Sequence, residues 1–314
     1  MNIAYSCDDH YVEQTGISII SVCENNKDIN SIVFYLISKN ISNGNIELLD
    51  QICGRYKREL RVINFNDLAY DLDISSIGRH IATIYAKVFF SRIDSLDKII
   101  YLDSDTIITG SLKELWDTNL DECYIGAVET FVKKETRQQL GLPLDTPFFN
   151  DGVVIENVAF CREHDLIGQM YKLLLEYNGA PPVLSEGALN KICYGKTKFI
   201  SPRWNMMAGL LFYGLRDINY LVSRLHYDRS DISESLKHPV VIHYLTAFYN
   251  RPWFKKCSHP YKNLYAKYKQ LSPWKEVPLR KGDLPLRTKL IKLLINILGL
   301  KKFDELKNKF GVFI

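Results

Sequence analysis

Lys98-Ile99-Ile100-Tyr101-Leu102-Asp103-Ser104-Asp105 is the stretch on which the fold turns. Ile99 to Leu102 read as a buried strand, and such a strand seldom ends in two carboxylates one residue apart. Residues i and i+2 of a strand face one side, so both carboxylates converge on one point. Close anions repel unless a cation lies between them. Mg²⁺ or Mn²⁺ takes oxygen ligands of this kind and keeps positions open for substrate phosphates. Two readings stand: a turn with Asx hydrogen bonds, or a metal–diphosphate site at the C-terminal edge of a sheet.

Outward from this stretch, strand and helix patterns alternate. Strands are expected at Ile3 to Cys7, Ile32 to Ile37, Leu60 to Phe65 and Lys98 to Leu102. Helices are expected at Tyr11 to Cys23, Ile46 to Ile52 and Thr83 to Ile93. This rhythm predicts an α/β fold with a mostly parallel sheet and helices on both faces. Ligands in such folds bind beyond the carboxyl ends of the strands, where Asp8-Asp9 and Asp103-Asp105 both fall. Beyond Asp105, strands are expected at Tyr124 to Val128 and Val153 to Ile155, and helices at Val158 to Tyr177, Gly187 to Tyr194 and Leu286 to Leu298.

A chain of 314 residues holds one large α/β domain with an appendage, or two domains. Its seven cysteines form no C-x-x-C pair, which argues against a zinc site and for a reducing cytosol. The first residues read as a strand rather than a signal peptide, and no apolar run is long enough to span a membrane. Charge is unevenly placed. Residues 255–314 carry 15 Lys and Arg against 4 Asp and Glu, whereas residues 1–254 carry 25 against 32. The expected division is therefore 1–254 as a catalytic domain and 255–314 as a basic helical extension, whose partner is an anionic surface. Nothing points to nucleic acid.

Several motifs occur in a fixed order: Cys7-Asp8-Asp9-His10-Tyr11, Tyr101-Leu102-Asp103-Ser104-Asp105 with Gly110-Ser111-Leu112, Leu115-Trp116-Asp117, Phe149-Asn150-Asp151-Gly152-Val153, His243-Tyr244 and Arg251-Pro252-Trp253. In this order they resemble glycosyltransferase family 8, and within it the bacterial α-galactosyltransferases that extend lipooligosaccharides. The resemblance runs from Met1 to about Trp253. It implies a GT-A-type nucleotide-diphospho-sugar transferase fold, a Rossmann-like mixed sheet with helices on both faces. It also implies a UDP-sugar donor, Mn²⁺ (or Mg²⁺) as cofactor, and retention of anomeric configuration.

The resemblance carries over residue by residue. Asp103, Asp105 and His243 stand at the metal positions, and a neutral imidazole suits Mn²⁺ better than Mg²⁺. Asp8 resembles the carboxylate that accepts from uracil N3–H, and Tyr11 the ring that stacks on uracil. On the residues alone, Asp8-Asp9 also reads as an N-cap. His10, Ser104 and Gly152 complete the donor-binding motifs. Lys87 falls close to the donor sugar and phosphate, or is a solvated helix charge. Arg251 falls near the diphosphate. Asn150 and Asp151 belong to the loop that binds donor-sugar hydroxyls.

The sharpest departure is Ser185-Glu186-Gly187, where the family usually reads Asp-Gln-Asp. Glu186 would lie under the anomeric carbon, as a stabiliser of a cationic centre or as a nucleophile. Glu129 falls where the related enzymes face the acceptor.

The expected activity is transfer of a hexose, galactose first and glucose second, from UDP to a cell-surface glycan or glycoprotein O-glycan. The rivals are a nucleotidyltransferase and a non-catalytic glycan-binding protein. A nucleotidyltransferase would need a Gly-rich basic loop after the first strand, and Ser6 to Tyr11 offers none. The intact Asp103, Asp105 and His243 argue against the second. Leu286 to Leu298, with Lys289 and Lys292 on one side and leucines on the other, resembles a peripheral membrane helix. Trp274 and Phe303 are expected anchors, and the alternative is a helix docked on the catalytic domain. The expected location is the cytoplasm, at the inner face of the membrane.

Overall fold

The computed structural model describes residues 1–73, 84–222 and 224–310. β1 (Asn2–Cys7), β2 (Val33–Ser38), β3 (Glu59–Asn64) and β4 (Lys98–Leu102) run parallel in the order β3-β2-β1-β4. β7 (Phe149–Asn157) lies antiparallel to β4, and β6 (Ile125–Glu129) antiparallel to β7. β8 (Thr197–Phe199) closes the seven-stranded sheet parallel to β6. The sheet is therefore mixed: its first four strands keep the expected parallel order, and β7 reverses it.

Near-continuous apolar runs in β1 and β4 reflect burial on both faces. Ile3, Tyr5, Ile100 and Leu102 point into one core. Ala4, Tyr35, Ile99 and Tyr101 point into the other. The helices Val12–Asn25 and Asn43–Arg55 cover the first core. A smaller sheet joins β5 (Thr106–Ile108), β9 (Met206–Met207) and β10 (Val241–His243), with β10 central.

Two expected helices differ. The segment expected from Thr83 is a 3₁₀ helix over Ala86–Arg92, and Thr83 lies outside the described residues. All residues from Ala86 to Ser91 are buried, so the segment has no solvent-facing side. The expected helix from Val158 to Tyr177 is broken into Val158–Glu163 and Leu166–Glu176. Asp165 divides them in a left-handed conformation (φ 48°), its carboxylate accepting from Gly168 N–H as an N-cap.

The basic segment adds to the first core. Tyr265, Tyr268, Ile295, Leu300 and Phe303 are buried there, and Asn25 Nδ2 donates to Tyr268 hydroxyl at 2.7 Å. Lys269 pairs with Glu13 of the first helix. The Trp274 ring lies against Gly16, where an added Cβ would come within 2.4 Å of it. Trp274 and Phe303 are thus packed on the protein and are not free to anchor elsewhere. The helix Leu286–Leu298 docks through Ile291, Leu294 and Ile295. Of its lysines, Lys292 faces protein, with Nζ 4.6 Å from the Tyr249 ring centroid, whereas Lys289 is exposed and pairs with Asp283. The solvent also receives Leu286, Leu290, Leu293 and Ile297. Among the described residues no helix is long and apolar enough to cross a membrane.

Candidate active site

Asp103-Ser104-Asp105 forms the turn between β4 and β5. The pleat of a strand therefore does not align the two carboxylates; the turn does. Tyr101 hydroxyl donates to Asp103 Oδ1 at 2.9 Å. β10 pairs with β5 so that His243 stands opposite Thr106. One ligand atom each from Asp103, Asp105 and His243 lies within 4.8 Å of the others. His243 Nε2 is 3.1 Å from Asp105 Oδ1 and 3.7 Å from Asp103 Oδ2.

Sequence reasoning missed Asn205. It is fully buried just before β9, and its Oδ1 lies 3.0 Å from His243 Nδ1. An amide oxygen only accepts, so Nδ1 carries a proton, and Nε2 faces both carboxylates. That facing is favourable only with a proton or a metal ion in between. The mixed oxygen and nitrogen donor set fits a divalent cation. Nothing in the pattern around Arg203-Trp204-Asn205 marks this asparagine; a polar residue at the entry to a buried strand was its one signal.

Two cations flank the triad. Lys87 is buried, with Nζ 3.0 Å from Asp151 Oδ2, 3.0 Å from Asp151 O and 3.7 Å from Asp103 Oδ1. It is therefore no solvated charge. Burial alone would favour the neutral amine, but the Asp103 and Asp151 carboxylates outweigh it and raise its pKa. Arg251 Nη2 is 3.0 Å from Asp105 Oδ2, and its Nη1 donates to Tyr11 hydroxyl at 2.8 Å. Burial pushes Asp103 up. At Asp105 burial acts the same way, but His243 and Arg251 prevail and hold it below the usual carboxylate range. His243 is raised: burial opposes its charge, and Asp105 more than offsets that.

At the end of β1, Asp8 Oδ1 accepts from His10 N–H at 3.0 Å. Tyr11 is the N-cap residue of the helix Val12–Asn25, without a side-chain cap. Asp9 does not cap that helix either. It accepts from Ser42 N–H and Asn45 Nδ2 at the start of the helix Asn43–Arg55. Tyr11 meets Trp253 edge to face, with ring centroids 6.4 Å apart. His10 is exposed, and its carbonyl accepts from Arg280 at 3.3 Å. Ser104 is buried and accepts from Thr15 Oγ1 at 2.8 Å.

On the other side, β7 carries Asn150, Asp151 and Gly152. Asn150 Nδ2 donates to Glu186 Oε2 at 2.6 Å, and Ser185 Oγ donates to Asp151 Oδ2 at 2.6 Å. Ser185 and Glu186 lie in the first turn of the helix Leu184–Ile192, which starts earlier than the expected Gly187. Val183 and Leu184 enter it with φ 53° and 52°, a left-handed step that is rare for a β-branched residue. Gly187 is required here, because a Cβ would meet Pro182 O at 1.9 Å. Burial, then the Asp151 charge, push Glu186 up to about 8. Gly152 lets His243 and Asp103 approach: a Cβ there would lie 2.3 Å from His243 Cε1 and 2.5 Å from Asp103 Oδ2. Glu129 is buried, and its carboxylate is engaged by His226 N–H at 2.7 Å and Nδ1 at 2.9 Å.

The model of glycosyl transferase family 8 matches residues 2–257. The chain belongs to that family. Among family 8 relatives, the lipopolysaccharide 1,2-glucosyltransferase of Escherichia coli K12 is 25% identical over 88% of this chain and 79% of its own. The general stress protein A of Bacillus subtilis is 21% identical over 88% and 96%. A crystal structure of the galactosyltransferase LgtC, in complex with donor and acceptor sugar analogs, superposes with TM-score 0.70 at 23% identity, covering 88% of this chain and 99% of that one. The fold of this family 8 chain is of the GT-A type.

Proposed function

We propose that this family 8 chain moves a hexose, galactose before glucose, from UDP to a hydroxyl of a cell-surface glycan or glycoprotein O-glycan, with retention. The observation that carries the reading is the convergence of Asp103, Asp105 and His243, with Lys87 beside Asp103 and Asp151, Arg251 beside Asp105, and the Asn150–Glu186 pair close by in β7 and the following helix. Asp103, Asp105 and His243 would hold Mn²⁺, which when bound supplies Lewis-acid neutralisation of the departing diphosphate.

The remaining work falls to the chain itself. Tyr11, braced by Arg251 and Trp253, offers a ring face to uracil, and Asp8 offers an acceptor for N3–H. Lys87 and Arg251 are fixed cations beside the diphosphate, so their dipoles need no reorganisation as charge grows. Asn150 and Asp151 bind sugar hydroxyls. Glu186 stabilises the cationic anomeric centre, or attacks it as the bond to UDP breaks and is then displaced by the acceptor hydroxyl. Residues 1–254 hold these groups, and 255–314 form a basic helical extension that packs on the helix Val12–Asn25 and on Phe212 and Tyr249. The exposed Leu286, Leu290, Leu293 and Ile297, beside Lys255, Lys256 and Lys289, support a tail that rests on an anionic membrane.

A panel of UDP-sugars with Mn²⁺ tests the reading. Hydrolysis of UDP-galactose is expected in the wild type and is lost in Asp103→Ala; equal turnover in both would sink the proposal. Near-full transfer by Glu186→Gln would remove the nucleophile role.

A further inference from the structure

We infer that Asn205 is a positioning residue that ties the cation site to Glu186 through a one-directional hydrogen-bond relay. The relay rests on the reading of Asp103, Asp105 and His243 as a cation site. Asn205 Nδ2 donates to Asn150 Oδ1 at 2.8 Å, and Asn150 Nδ2 donates to Glu186 Oε2 at 2.6 Å. Gly152 N–H also donates to Asn150 Oδ1, at 3.2 Å, which fixes which amide atom of Asn150 is the oxygen. The Asn205 amide is then oriented in turn: its nitrogen must face Asn150, and its oxygen must face His243. His243 Nδ1–H donates to that oxygen at 3.0 Å, so the Nε2 lone pair is committed to the cation.

Every proton in this chain points from His243 toward Glu186, and a carboxylate terminates it. Bonds aligned this way polarise one another. A carboxylate behind a ligating imidazole raises the ligand's basicity, and here two amides relay that effect. Asn205, Asn150 and His243 are all buried, so no solvent competes along the path. When ionised, Glu186 on the sugar side is thereby felt at the cation, and the coupling is reciprocal. A structural asparagine alone would need only partners; it would not need all three donors to run the same way.

The test measures Mn²⁺ affinity by the spin resonance of free Mn²⁺, and the His243 tautomer by ¹⁵N NMR of the metal-free protein at a pH where the ring is neutral. Asn205→Ala is expected to lose the fixed Nδ1–H tautomer and to bind Mn²⁺ about 10–100-fold more weakly. Asn205→Asp keeps an acceptor for His243 and is expected to keep tautomer and affinity, but it no longer donates to Asn150. Glu186→Gln should weaken Mn²⁺ binding in the wild-type background and have no effect in Asn205→Asp. Wild-type tautomer and affinity in folded Asn205→Ala would overturn the inference. So would a Glu186→Gln effect of the same size in both backgrounds, a comparison that holds even if the alanine variant does not fold. Undiminished Mn²⁺ binding by Asp103→Ala would overturn the cation reading itself, and so separates the two failures.

Discussion

Gly152→Ala perturbs the site by one methyl group. Gly152 sits in β7 with no positive φ, so its backbone suits alanine and the whole penalty comes from contact. The new Cβ would lie 2.3 Å from His243 Cε1, whereas ordinary contact begins near 3.4 Å. The ring would have to retreat by about 1 Å, while metal sites tolerate about 0.2 Å. It has no room to do so, being fully buried and held by Asn205 and Asp105. Asp103 Oδ2, at 2.5 Å, can rotate away, but that withdraws a second ligand. Overpacking of this kind costs about 1–3 kcal/mol. At roughly 2 °C per kcal/mol for a chain this long, Tm should fall by about 2–6 °C. Mn²⁺ affinity should fall by more than about 10-fold, since displacing a direct ligand costs more than losing an outer partner. Calorimetric titration with Mn²⁺ and a thermal melt measure both. Wild-type affinity together with a Tm within about a degree would refute the close-approach reasoning.

Two further outcomes are expected. Glu156 in β7 is buried, its Oε1 has no hydrogen-bond partner among the described residues, and burial pushes it up to about 8 from an ordinary 4.5. Between those values the native state keeps a proton that the unfolded chain loses, so stability falls as pH rises through this window. Glu156→Gln should therefore raise Tm more at pH 8 than at pH 5, and equal shifts at both would refute the sign. For the tail, the full chain should float with anionic vesicles at low salt and less so as Leu293→Ser/Ile297→Ser. No flotation of the wild type would end the membrane proposal.

The parallel half of the sheet was legible because β1, β2 and β4 are apolar runs buried on both faces and punctuated by polar turns. The meeting of Asp103, Asp105 and His243 followed from motif order, although a turn rather than a pleat brings the two carboxylates together. What stayed hidden depends on tertiary partners. Asn205 is defined by a ring 38 residues away. The reversal of β7 has no signature in its own residues. From the sequence the tail helix is expected either to lie on a membrane or to dock on the catalytic domain, with Lys289 and Lys292 opposite its leucines. In the structure the Lys292 ammonium covers the Tyr249 and Phe212 rings, and leucines face outward.

The pairing of β5 with β10 joins ligands 138 residues apart. During synthesis at about 5–20 residues per second, both carboxylates precede their imidazole by roughly 7–28 s. For that interval the nascent protein has the acidic turn without the nitrogen that completes it, and β5 has no partner on that side. Completion of the candidate cation site is thus gated by the last strand to enter the small sheet. On the proposed reading, cation binding reports that the chain has folded through to residue 243.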